Sequence, residues 1–195
     1  SSAGMIDLAR QQERPNLRFE RLDINAIDWQ DEFDVVFSNA TLHWVKDHRR
    51  LLASVRRALR AGGVARFNFA GDGNCSTFNA VAQEVMQLPR YAGYFAAFDW
   101  PWYMPAVDEY EALVRQAAFG DVRVWGENAD RFFPTAEAMI GWIDQPSLVP
   151  LLACVGPTDK VAFRQEVIDR MLQRTRQADG RCFETFRRIN LLARK

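Results

Sequence analysis

Two short stretches of this sequence carry side chains able to do or steer chemistry. The first is Ser38-Asn39-Ala40, followed at once by His43 and Trp44. It comes directly after Phe33-Asp34-Val35-Val36-Phe37, a nearly continuous apolar run. Such a run reads as a strand covered on both faces in a parallel sheet. Ligands of open α/β sheets bind beyond the carboxyl ends of the strands. Small residues at that edge let a ligand approach the backbone, and His43 there is either a general base or a residue that orders the loop. The second stretch ends at Asp23. Leu17 and Phe19 alternate with Arg18 and Glu20, the period of a half-buried edge strand. Asp23 at its end either accepts hydrogen bonds from a nucleotide or forms a turn. Further on, Trp100, Trp102 and Tyr103 form an aromatic segment, which reads as a lid over a small ligand or as ordinary core.

Other chemistries find no support. The sequence has no Ser-His-Asp pattern, HExxH or Walker loop. His43 and His48 are poorly spaced for a metal pair, and Cys75, Cys154 and Cys182 form no ligand spacing. No metal is expected. The odd, scattered cysteines read as reduced thiols of a cytoplasmic protein.

The elements that must position these residues follow from periodicity. Residues 1–10 have a helical pattern. Asp47 caps a helix whose Leu51, Leu52, Val55 and Leu59 share one face. Arg56, Arg57 and Arg60 fall in its last turns, and Gly62-Gly63 stops it. Val64 to Phe69 is the next strand, which completes a βαβ unit. Cys75 to Leu88 reads as a helix. Tyr110, Leu113, Val114 and Ala117 mark another. Val122 to Trp125 begins a strand, Pro134-Thr135 opens a helix through Trp142, and Pro157-Thr158-Asp159 opens a longer one with Val161, Ile168, Met171 and Leu172 inward. Arg187 to Ala193 is strand-like. Strands alternating with helices imply an α/β fold. The direction of the last two strands is left open.

Composition sets the outer bounds. The 195 residues are 48% hydrophobic and 26% charged, the make-up of a folded domain. The formal net charge is zero, which argues against a nucleic-acid or membrane surface. No apolar run approaches the length needed to cross a bilayer.

Three stretches together resemble class I S-adenosylmethionine-dependent methyltransferases. They are Leu22-Asp23-Ile24, then FDVVFSNATLHWVKD at 33–47, then LLASVRRALRAGGV at 51–64. SSAGMIDLAR resembles the helix after that fold's second strand. PTAEAMIGWI at 134–143, SLVPLLACV at 147–155 and the terminal DGRCFETFRRINLLARK are similar to the trans-aconitate 2-methyltransferase group. The resemblance implies a Rossmann-like sheet with helices on both faces. It also implies a helical lid at about 75–105 and 134–180, all within one domain that lacks its first strands. The glycine-rich loop and the acidic ribose-binding residue of the family lie outside this sequence.

Carried over, the resemblance implies S-adenosyl-L-methionine as cofactor. Asp23 would take the adenine amino group and the Ile24 N–H an adenine nitrogen. Ser2 and Met5 would lie along the adenosine. Asn39 and Ala40 would present backbone near the methionine end, with His43 and Trp44 facing the methyl group and substrate. A carboxylate acceptor needs no base, so the acid of a trans-aconitate-like substrate calls for a clamp from Arg187, Arg188 or Tyr103, beside Trp102. The alternatives are a non-catalytic binding module on the same fold, and a methyltransferase with an amine or carrier-protein-bound acceptor. No nucleic-acid or membrane partner is implied.

Overall fold

The computed structural model describes residues 3–145 and 147–195. Its centre is a mixed sheet built from β1 (Phe33–Asn39), β2 (Leu59–Ala70), β3 (Gly120–Asn128) and β6 (Arg187–Arg194), in the order β1-β2-β6-β3. β1 and β2 are parallel, and α2 (His48–Ala58) makes the crossover between them. β6 runs antiparallel to both of its neighbours, β2 and β3. That settles the strand direction which periodicity left open, and it makes the α/β sheet mixed.

The helices sit where alternation sends the apolar residues. Ala65, Phe67 and Phe69 of β2, with Leu191 and Ala193 of β6, pack against Leu51, Leu52 and Val55 of α2. Tyr110 and Val114 of α4 (Val107–Gln116) complete this cluster. Asp47 caps α2 as expected, its Oδ1 accepting from the Arg50 N–H at 2.9 Å. The helix ends at Ala58, however, short of the glycine pair. Leu59 has already turned extended, and Gly62, at φ +77°, makes a turn inside the strand segment. Arg60 therefore leaves the helix and pairs with Asp34 at 2.9 Å.

A second core lies among α3 (Ser76–Met86), α5 (Ala136–Ile143), α6 (Val149–Cys154) and α7 (Lys160–Thr175). Phe78, Val85, Met139, Leu151, Phe163 and Met171 are buried in it. The small hairpin β4 (Arg131–Phe133) and β5 (Cys182–Glu184) joins it to the sheet. Val161, expected inward, is 80% exposed at the outer start of α7.

Two expectations fail for one reason. Residues 18–23 form no strand, and Leu17 makes only an isolated bridge to Arg14. Val35 and Phe37, expected to be covered, are 58% and 67% exposed. A strand exists by pairing, and β1 pairs only with β2 among the described residues. α1 (Ala3–Arg10) buries no residue.

Candidate active site

The site is assembled where β1, β2 and β6 meet the helical core. His48 organises one wall. Its Nε2 lies 3.0 Å from the Leu42 carbonyl and its Nδ1 3.1 Å from the Tyr110 hydroxyl. A carbonyl only accepts, so Nε2 carries the proton and Nδ1 accepts from Tyr110. Burial pushes the pKa of His48 down, which keeps it neutral. It is a satisfied core residue, and it pins the short 3-10 turn Leu42–Trp44. That turn presents His43 and Trp44. The His43 carbonyl accepts from the Tyr103 N–H at 2.8 Å, which draws the aromatic segment across the turn. Trp44 and Trp102 then meet edge to face, with ring centroids 5.6 Å apart.

The opposite wall comes from the loop after β2. The Gly71 N–H donates to the Arg187 carbonyl at 3.0 Å and the Cys75 N–H to the Thr185 carbonyl at 2.9 Å. Gly71 is required here, because a Cβ would stand 2.7 Å from Ile189 Cγ1. The loop carries Asn74 and Cys75 into α3, whose first turn is capped from β5. Buried Glu184 accepts from the Thr77 N–H at 3.2 Å and the Phe78 N–H at 2.9 Å. Asn74 Nδ2 donates to Cys75 Sγ at 3.0 Å. Burial, with Glu184 nearby, pushes the Cys75 thiol up to about 12, so it is no nucleophile at neutral pH.

Between these walls lies a cavity of about 180 Å³. Ala40, His43, Trp44, Trp102 and Arg188 all line it. Ala40 adopts φ +55°, and its N–H donates to the Asn68 carbonyl at 2.7 Å, which holds the end of β1 beside the end of β2. Two groups in the cavity have no protein partner among the described residues, and one of them is fully buried. His43 Nδ1 is buried without a hydrogen-bond partner among the described residues. The Arg188 side chain has no hydrogen bond or ion pair among them either, and its guanidinium carbon lies 5.8 Å from the Phe186 ring centroid. Desolvation first, then the charge of Arg188, lowers the pKa of His43 to about 4. His43 is therefore neutral at pH 7.

Other expected residues are placed elsewhere. Tyr103 donates to Glu109 at 3.2 Å and packs at a tilt against His48, 4.7 Å between centroids, in the wall of a different groove. Arg187 pairs with Asp130 and lines a neighbouring cleft. Asn39 is exposed, and its carbonyl accepts from Thr41. Asp23 is exposed and caps a short turn over Ile24–Ala26. Its Oδ1 accepts from the Asn25 N–H at 2.9 Å and Asn25 Nδ2 at 3.0 Å, which lowers its pKa. Ile24 packs on the α2 cluster. Met5 is 73% exposed on α1. Ser2 lies outside the described residues. Sequence reasoning missed Asn74, Phe78, Asn79 and Trp142 in the cavity wall. The signal available for Asn74 was Gly71-Asp72-Gly73-Asn74 at the carboxyl end of β2, the same edge that drew attention to β1.

Among the described residues no helix is long and apolar enough to cross a membrane, and no cluster of metal-ligating side chains occurs.

Comparison with known proteins gives three kinds of match. The methyltransferase domain family matches residues 1–67. The chain is 31% identical to the trans-aconitate 2-methyltransferase of Deinococcus radiodurans, over 84% of this chain and 64% of that protein. It is 31% identical to that of Mycolicibacterium gilvum, over 86% of this chain and 67% of that protein. It thus spans about two thirds of the length of these curated relatives. Among solved structures, loganic acid methyltransferase with SAH shares the fold, with a TM-score of 0.68 at 10% identity over 97% of this chain and 70% of that one. The YcgJ protein of Bacillus subtilis superposes at a TM-score of 0.60 and 13% identity, over 100% of this chain and 79% of its own.

Proposed function

Because the chain belongs to the S-adenosylmethionine-dependent methyltransferase family, we propose that its cavity takes a small acid for O-methylation of a carboxylate. The observation that carries this reading is the Arg188 guanidinium, partnerless in a half-closed cavity at the carboxyl ends of β1 and β2. A half-buried cation that makes no hydrogen bond or ion pair among the described residues favours an anionic ligand, and a guanidinium takes a carboxylate in bidentate fashion.

The residues present fit the cofactor. Asp23 has a second carboxylate oxygen with no partner among the described residues, free for the adenine amino group, beside an Ile24 anchored on α2. Asn39 and Ala40 end β1 at the cavity mouth, with Ala40 held in a left-handed turn that leaves small backbone exposed. When bound, S-adenosylmethionine supplies a methyl group activated by its sulfonium charge. A carboxylate is ionised at neutral pH, so this chain has no proton to remove. Its work is to bind, orient and keep out water. His43, neutral at pH 7, suits a hydrogen-bonding role and is a weak base for an amine or alcohol. That disfavours an acceptor of either kind.

The test measures methyl transfer to a panel of small acids, together with S-adenosylhomocysteine binding by calorimetry. Arg188→Gln should lower kcat/KM for the preferred acid by about 10²-fold, the scale of a lost charge-assisted pair, with cofactor affinity unchanged. Equal rates in variant and wild type would remove Arg188 from the site and the acid with it.

A further inference from the structure

The carboxylate reading leaves open how many charges the acid carries, and the cavity bears on that. Its walls are mostly apolar: Trp44, Trp102, Trp142, Phe78, Met104 and Phe186. Its polar residues other than Arg188 are neutral, among them Asn74, Asn79 and Ser147. Among the described residues, Arg188 is the single charged side chain in the lining. Two cations close in sequence to lining residues are already committed, Arg187 to Asp130 and Lys46 to Asp99. His43 does not supply a second positive charge near pH 7, since burial and Arg188 hold its pKa at about 4. Glu184, buried behind Cys75 and felt by it, adds negative charge close to the wall.

From this inventory we infer that the acceptor is a monocarboxylate with an apolar, preferably aromatic, body. It would differ in this from the tricarboxylate in the relatives' name. The inference rests on the carboxylate reading above. One carboxylate pairs with Arg188, and its apolar body lies against the indoles, where face and edge contacts add to area burial. A second or third carboxylate would be desolvated against Trp and Phe without a counter-ion, and the loss of hydration of a buried unpaired charge exceeds what neutral amides return. Cavity size is no criterion, since acids of both kinds are of similar bulk. Charge is what discriminates.

The experiment uses the unmodified protein with S-adenosylmethionine near pH 7.5, comparing trans-cinnamate with trans-aconitate as acceptors. Calorimetric titration of each acid into the S-adenosylhomocysteine complex runs in parallel. We expect kcat/KM and affinity for trans-cinnamate to exceed those for trans-aconitate by about tenfold or more, given the desolvation cost of each unpaired carboxylate. Equal or better use of trans-aconitate overturns the inference and leaves the carboxylate reading standing. Failure to methylate either acid, or any other carboxylate, while S-adenosylhomocysteine still binds, overturns the carboxylate reading and this inference together.

Discussion

His43 and His48 stand five positions apart in the sequence yet have opposite circumstances. His48 has a partner on each ring nitrogen, whereas His43 Nδ1 has none among the described residues. Both have lowered pKa values with desolvation as the largest cause, and for His43 the fall is from 6.5 to about 4. A histidine held neutral in the fold takes up its proton more readily when unfolded. Stability is therefore greatest above about 6.5 and falls as pH drops from there toward about 4. For His43 alone the full loss is at most on the order of 3 kcal/mol. His43→Gln should flatten the pH dependence of urea stability between pH 7 and pH 4.5, while keeping most of kcat because no base is needed. A pH slope unchanged by the substitution would show that His43 is not the buried neutral group described. Loss of turnover to background with cofactor affinity intact would instead make it the base.

At the scale of elements, the site depends on how α3 is joined to the sheet. Its first turn has no capping side chain of its own, since Cys75 at the N-cap makes no such bond and sits at φ +52°. Glu184 supplies the cap from β5 instead, across more than a hundred positions of sequence. The same carboxylate also accepts from the Thr185 N–H at 2.7 Å. Glu184→Ala should therefore cost about 2–3 kcal/mol, a helix cap plus buried N–H groups left unpaired. Glu184→Gln should recover part of that. Urea unfolding is the measurement, and a loss below about 0.5 kcal/mol would mean that water replaces the carboxylate. Because Asn74 and Phe78 line the cavity beside this cap, substrate KM should rise in Glu184→Ala even where the protein remains folded.

At the scale of the whole molecule, the sheet is unevenly covered. α2 and α4 bury one face, whereas Val35, Phe37 and Leu192 are 58%, 67% and 40% exposed on the other. The outer edge of β1 has no strand partner among the described residues, and apolar surface beside an open edge invites association. This 195-residue chain should self-associate as its concentration rises, visible by light scattering or sedimentation. Phe37→Lys should reduce that without loss of circular-dichroism signal, because the position faces outward and a lysine on an edge strand opposes pairing. A monodisperse wild-type monomer at high concentration would show that this face is not adhesive.

What was legible in the sequence was local. The helix under Asp47, the strand at 64–69, the helices near 107–116 and 136–143 and the final strand follow from short-range period and capping. The edge of β1 as a candidate place for a ligand follows from strand ends alone, and of the residues named for it Ala40, His43, Trp44, Trp102 and Arg188 line one cavity. What tertiary structure decided was partnership. Leu17 and Phe19 alternate like a strand but form none, because a strand needs a neighbour and its residues cannot name one. Arg187 and Arg188 are adjacent and chemically alike, yet one meets Asp130 and the other faces the cavity. Both border the cleft beside β3, but only Arg188 also reaches the cavity under the indoles, and that difference depends on elements distant in the chain. His48 has no role that its sequence position assigns, and the fold gives it one by placing Tyr110 and the Leu42 carbonyl against its two nitrogens. Periodicity is written residue by residue, but hydrogen-bond satisfaction and counter-charge belong to pairs that only folding brings together.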